Sequence, residues 1–297
     1  MGKAGPAMPC AGRKEARGGR TLHKPIDDVD RLKSIALDVR KNVLKMTTAA
    51  GSGHPGGSMS ATDILVCLYF NVMRHDPGKP DWPDRDRFVL SKGHAAPALY
   101  AVLAECGYFS KKLLPSLRKL GSPLQGHPDM KRLPGIEMST GSLGQGLSTA
   151  LGMAMGCRLD GRSNHIYCLI GDGESQEGQI WEAAMAACHN RLDNLTVVLD
   201  ENRLQIDGST NDIMDVSNQR ARWKAFGWDT HVINGHDYEA ILKALKRAKE
   251  PGKPRMIVAQ TVKGKGVTFM ENQLKYHGAP LSKDELKMAL KELEGVK

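Results

Sequence analysis

The run His165-Ile166-Tyr167-Cys168-Leu169-Ile170 ends in Gly171-Asp172-Gly173, and a second apolar run ends in Leu199-Asp200-Glu201-Asn202, thirty residues beyond Asp172. A short apolar run bounded by glycine reads as a buried strand. The helical stretch between the two runs makes strand, helix, strand, the unit of a parallel sheet. Glycines let the backbone turn sharply at a strand's carboxyl end and lie close to a ligand, which is where open α/β sheets bind cofactors. An aspartate, a side-chain amide and a backbone carbonyl are hard oxygen donors, suited to a magnesium ion shared with phosphate oxygens. Gly-Asp-Gly alone is an ordinary turn sequence. Two strand ends in one sheet can converge on one ion, so the pairing with Asn202 makes the triplet a candidate metal-diphosphate site.

Outward from this unit the alternation continues. Asp28 precedes a helix whose Leu32, Ala36, Val39, Val43 and Met46 form one stripe, ending at the glycine-rich stretch 51–57. An apolar helix over about 58–73 comes next, then a strand over 87–90, a helix over about 95–106 and an irregular region to Thr140. A small-residue helix runs to about Arg158. Beyond Asn202 come a helix over about 215–226, a strand over 228–233, a helix over 237–249, a strand over 256–261 and a helix from Ser282. The fold class expected is α/β, a parallel sheet sandwiched between helices.

At 297 residues, 40% apolar and 25% charged, the chain has the composition of a globular protein with one large domain. No apolar run reaches the roughly 18 residues of a membrane span. The six cysteines show no CxxC spacing and sit mostly in apolar stretches, as reduced thiols of a cytoplasmic protein do. Residues 1–24 carry six Lys or Arg and one Glu, which accounts for +5 of the net +9. That segment, rich in Gly, Ala and Pro, reads as a disordered basic extension, with Met8 an alternative start and a transit peptide the competing reading. The rest, at about +4, gives no reason to expect nucleic acid.

Ten histidines divide into two groups. His23, His75, His165, His189, His231 and His236 read as surface or structural. His54, His94, His127 and His277 stand in loops containing Gly or Pro: GSGHPGG, SKGHAAP, LQGHPD and YHGAP. Imidazole there can donate to phosphate or move a proton near neutral pH. Zinc is the competing ligand, but no pair has zinc-site spacing and no cysteine stands near.

Together with TGSLGQGLS, GDGESQEGQIWEAAM, DENRLQIDG and HGAPL, these loops resemble, in order, the diphosphate-binding half of transketolase, from about Val29 to Leu290. The resemblance implies that residues 25–297 form a thiamine diphosphate-binding domain. Asp172, Asn202 and the carbonyl of Leu204 would hold Mg2+, or another divalent cation such as Ca2+. His94 and His277 would contact the diphosphate beside Gly171 and Gly173, with His54 and His277 on the path of proton transfer. His127 would hold the donor's first hydroxyl. The backbone of Gly141 would accept the cofactor's exocyclic amine and Leu143 would pack on its pyrimidine, with Ser142 replacing a proline common in the family. Glu177 matches an acidic residue that links paired active sites across the subunit interface; a carboxylate favoured by a helix N-terminus is the plainer reading.

The implied activity is transfer of a two-carbon ketol unit from a ketose phosphate to an aldose phosphate, in the pentose phosphate pathway. Full-length transketolases continue with a pyrimidine-binding domain that this chain lacks. The expectation is therefore an amino-terminal subunit, active only with a separate carboxyl-terminal subunit in a dimer of heterodimers, and Gly295-Val296-Lys297 reads as a natural end rather than a cut. Other thiamine diphosphate enzymes, a sulfosugar transferase, a non-catalytic relative and a nucleic-acid binder are the alternatives.

Overall fold

The computed structural model describes residues 24–295. The expected extension over 1–24 therefore lies, but for Lys24, outside the described residues, as do His23 and the last two residues. Five strands, β1 (Arg87–Leu90), β2 (Ile166–Gly171), β3 (Leu195–Glu201), β4 (Asp229–Asn234) and β5 (Arg255–Gln260), form one parallel sheet in the order β1-β2-β3-β5-β4. The apolar residues of β1, β2, β3 and β5 are buried because helices cover both faces, as a parallel sheet requires, while the edge strand β4 leaves Val232 exposed.

One layer holds α1 (Val29–Ala50), α2 (Pro55–Cys67), α3 (Ala96–Cys106), α8 (Tyr238–Lys246) and α9 (Lys283–Gly295); the other holds α4 (Gln145–Leu159), α5 (Gly178–His189) and α7 (Gln219–Ala225), and α6 (Thr210–Ile213) is a single turn. The stripe Leu32, Ala36, Val39, Val43 and Met46 is buried as its spacing anticipates. Asp28 caps α1 by accepting from the amides of Asp30 and Arg31, and Gly51, at φ 59°, ends it. Ser282 and Glu285 cap α9 reciprocally, each side chain accepting from the other's amide. Among the described residues no helix is long and apolar enough to cross a membrane.

Most boundaries shift by a residue or so from those expected, the helix expected over 237–249 ends at Lys246, and three further differences have a visible cause. β2 starts at Ile166 and includes Gly171, because its register with β3 carries through to Gly171 opposite Asp200. The apolar helix after the first glycine loop stops at Cys67 and gives way to a wider turn over Leu68–Val72. The helix expected from Asp215 begins only at Gln219: Asp215 accepts from Ser217 in a tight turn, and left-handed Asn218 caps the helix.

β2 to β3 crosses over through α5 and β4 to β5 through α8, on opposite faces, so the loops after β1, β2, β3 and β5 open at one edge. The start of α4 is pressed onto the loop after β1. A Cβ on Gly146 would lie 2.5 Å from Ser91 Oγ and 2.6 Å from its Cα. In an open helix Gly to Ala stabilises by about 0.5–1 kcal/mol, but overpacking costs about 1–3 kcal/mol. Gly146→Ala is thus expected to lower stability, measured as a lower urea midpoint at unchanged slope.

Candidate active site

Asp172 leaves β2 in a turn that buries it at 3% exposure. Its Oδ1 accepts from the amide of Gly173 at 2.8 Å and its Oδ2 from that of Arg203 at 2.5 Å, which ties the loop after β2 to the loop after β3. Asn202, also buried, accepts from the amide of Leu204 at 3.2 Å and donates to Asp200 at 3.3 Å. Arg203 takes a positive φ of 63°, and the Leu204 carbonyl accepts from Lys263 Nζ at 2.8 Å. Burial, and then the charge of Asp200, push the Asp172 carboxyl up to about 6. Burial, and then Lys92, bring the Lys263 ammonium down to about 8. Each charge is short of a counter-charge.

Three of the four loop imidazoles converge. The ring centres of His54 and His94 lie 5.2 Å apart, those of His54 and His277 5.6 Å, and those of His94 and His277 5.5 Å. They come from the loops before α2, after β1 and before α9. Burial, with Arg118 and His127 nearby, brings His54 down to about 4; burial and Lys263 bring His277 to about 3, and His94 is lowered too. All three are therefore neutral at physiological pH. His54 Nδ1 and Thr140 Oγ1 are buried with no protein partner, as groups awaiting a ligand would be.

These groups face one cavity of about 360 Å³, lined by His54, His94, Gly141, Leu143, Gly171, Asp172, Gly173, Glu177, Asn202, Leu204 and His277, with Lys92, Glu174, Gln176, Gln205, Ile206 and Lys263. All the residues singled out in the sequence are in that lining except His127. Its ring lies against Gly141: a Cβ there would be 3.0 Å from His127 Cγ, at a φ of 145° that side chains rarely adopt. Glu177 is exposed at the N-cap of α5 and makes no capping bond. A larger cavity, of about 750 Å³, lies among α1, α8 and α9, away from these loops.

The sequence reading missed the buried charges beneath the site. Lys92, 1% exposed, is ion-paired with Asp200, 0% exposed, and donates to the carbonyl of Gly57 at 3.1 Å. Lys263 also approaches His277 Nδ1 at 2.8 Å. Their signal was position, since Lys92 is part of the SKGH loop and Asp200 is the next-to-last residue of β3.

The comparisons with known proteins decide the family. Residues 32–297 match the family model for the transketolase thiamine diphosphate binding domain. The chain belongs to that family. It is 49% identical to the 6-deoxy-6-sulfo-D-fructose transketolase subunit SqwG of Clostridium sp. (strain MSTE9), over 86% of this chain and 94% of that protein. It is 42% identical to an apulose-4-phosphate transketolase subunit of Phocaeicola vulgatus, over 86% of this chain and 90% of that protein. Among solved structures it matches transketolase from Campylobacter jejuni with a TM-score of 0.85 and 37% identity, over 90% of this chain but 43% of that one. The chain thus corresponds to the N-terminal subunit of a transketolase-type transferase.

The neutral imidazoles carry a pH signature. A histidine whose folded pKa is depressed favours the deprotonated folded state, so its stabilising effect is present above the unfolded value of 6.5 and is lost as pH falls toward the folded value. For His54 that window runs from 6.5 down to about 4, and for His277 down to about 3. Each group steepens the acid loss by at most about 1.4 kcal/mol per pH unit. Chemical denaturation from pH 7 to 4 is expected to show a shallower slope for His54→Gln than for wild type.

Proposed function

We propose that the chain supplies the diphosphate-binding half of a transketolase that moves a two-carbon ketol unit from a ketose phosphate to an aldose phosphate. The carrying observation is the convergence of His54, His94 and His277 in one cavity with Asp172, Asn202 and the Leu204 carbonyl. One carboxylate, one amide oxygen and one carbonyl form a set of hard donors suited to Mg2+ or Ca2+ rather than to zinc. The raised Asp172 calls for a cation and the lowered Lys263 for an anion. A divalent cation with a diphosphate answers both.

In this reading Asp172, Asn202 and Leu204 hold the cation, and His94, Lys263 and His277, with the backbone at Gly171 and Gly173, receive the diphosphate. Gly141 and Leu143 meet the pyrimidine. Bound thiamine diphosphate supplies the carbon nucleophile for cleaving and forming the carbon–carbon bond. His54 and His277 exchange protons with the substrate's oxygens, being neutral and adjacent, and His127 orients the donor's terminal hydroxyl beside His54. A chelator is expected to abolish transfer by the assembled enzyme, with Mg2+ or Ca2+ and cofactor restoring it. Asp172→Ala should raise the cation concentration needed for half-saturation by at least about tenfold, a loss of about 1.4 kcal/mol or more. Unchanged cation dependence in that variant would remove Asp172 from the site. The relative at 49% identity is named for a sulfosugar, so the donor assay should set a sulfonated ketose beside a phosphorylated one.

The partner in this proposal is a second chain carrying the pyrimidine domain, in a dimer of heterodimers with Glu177 at the subunit boundary; the domain spans 25–297 and works in the cytoplasm. The relatives named as transketolase subunits support a partner, and so does α4. Gly152 and Gly156 lie mid-helix, where glycine costs about 0.5–1 kcal/mol relative to alanine, yet a Cβ on either would meet nothing within 4 Å. Packing within the chain does not require them, and close approach by another chain would. Leu159 and Met185 are exposed at 86% and 54% on α4 and the neighbouring α5. Gly152→Leu should leave the chain alone at least as stable while weakening its association, read by sedimentation, and should lower activity at limiting partner concentration.

A further inference from the structure

Glu174 lies beyond Asp172, in a single turn over Gly173–Gln176, and its side chain folds back to 3% exposure. Its Oε1 accepts from the amide of Gly144 at 2.9 Å and from Ser91 Oγ at 2.5 Å, and its Oε2 accepts from the amide of Gly171 at 3.0 Å. One carboxylate therefore joins three loops, those after β1, before α4 and after β2. Backbone amides can only donate, so both oxygens must accept, and only the carboxylate does this without conflict. A glutamine in the same place would turn its NH2 toward one of the two amides.

We propose that Glu174 is a positioning residue that sets the distance between the two ends of the cofactor cradle. The proposal rests on the thiamine diphosphate reading above. Leu143, at the pyrimidine end, is the residue before Gly144, whereas Gly171 and Asp172 form the diphosphate end. The strap runs between them. A ligand that engages both ends needs their spacing fixed, and a ligand that engages only the diphosphate end does not.

The test uses the full chain assembled with its partner and Mg2+, titrated by calorimetry with thiamine diphosphate and, separately, with inorganic pyrophosphate. Glu174→Gln is expected to weaken thiamine diphosphate by about tenfold or more, the cost of one unpaired buried group, and to leave pyrophosphate within about twofold. Amide exchange over residues 141–146 should accelerate while the amides of 166–170 keep their protection. Ser91→Ala, which takes away one donor and leaves the carboxylate its two amides, should shift both readouts the same way by less, and it serves if Glu174→Gln does not fold. Equal weakening of both ligands, or no change in selectivity and exchange, would overturn the proposal while leaving the cofactor reading intact. A wild-type assembly that binds neither ligand would overturn the cofactor reading and this proposal with it.

Discussion

The ion pair between Lys92 and Asp200 joins the carboxyl ends of β1 and β3 across β2, with both side chains closed off from solvent. Burying two charges costs several kcal/mol per ion, and their attraction offsets this only when the remaining donors and acceptors are also satisfied. Here they are. Lys92 gives a second bond to Gly57, and Asp200 accepts from Ser60, Thr261 and Asn202 as well. Those partners belong to the start of α2 and the loops after β3 and β5, the same segments that carry or adjoin His54, Asn202 and Lys263. Breaking such a pair from one side costs about 3–5 kcal/mol, so the interaction holds the positions of groups far apart in the chain. Burial raises the carboxyl of Asp200, but Lys92 and the hydroxyl donors outweigh it and keep the group below the ordinary range.

Around that satisfied pair the upper layer of charge is unsatisfied, and the contrast is chemical. Asp172 is raised and Lys263 lowered for the same first reason, loss of water without a full replacement. A protein selected only for stability would neutralise both or pair them. Keeping them separate, one beside hard oxygen donors and the other beside imidazoles, is what the proposed cation and diphosphate would require. The neutral histidines result first from the same burial, and then from Lys92, Lys263 and one another's rings, which disfavour a further positive charge. Neutral imidazole has one donor and one acceptor, which suits proton exchange with hydroxyls and carbonyls.

The parts of this arrangement legible in the sequence are those that sequence encodes locally. Alternating apolar runs and helical periodicity placed the five strands, and the buried stripe of α1 emerged with its cap at Asp28, because burial on one face leaves a spacing in the chain. Loop histidines beside glycines were legible because a close backbone approach requires glycine at fixed offsets. Boundaries were less so. Nothing in the periodicity of 215–226 shows that Asp215, Ser217 and Asn218 prefer side-chain-to-backbone turns over a first helical turn. The pairing of the buried charges Lys92, Asp200, Glu174 and Lys263 was illegible for a different reason. A charged residue is read as solvent-facing until its partner is known, and Asp200 is 108 residues from Lys92.

Lys263 connects the proposed cation site with His277, the proposed proton-handling group. Its ammonium has only donors, so the nitrogen of His277 that it approaches, Nδ1, must be the acceptor, and the imidazole proton stands on Nε2. The same ammonium donates to the Leu204 carbonyl, the oxygen that would also ligate a cation. Two positive charges compete poorly for one carbonyl. A cation at Leu204 would therefore weaken that bond and favour the contact with His277 or with an anion. Occupancy of the proposed metal position would then bear, through one side chain, on the contact that holds the tautomer of His277, with no movement of the sheet that carries them.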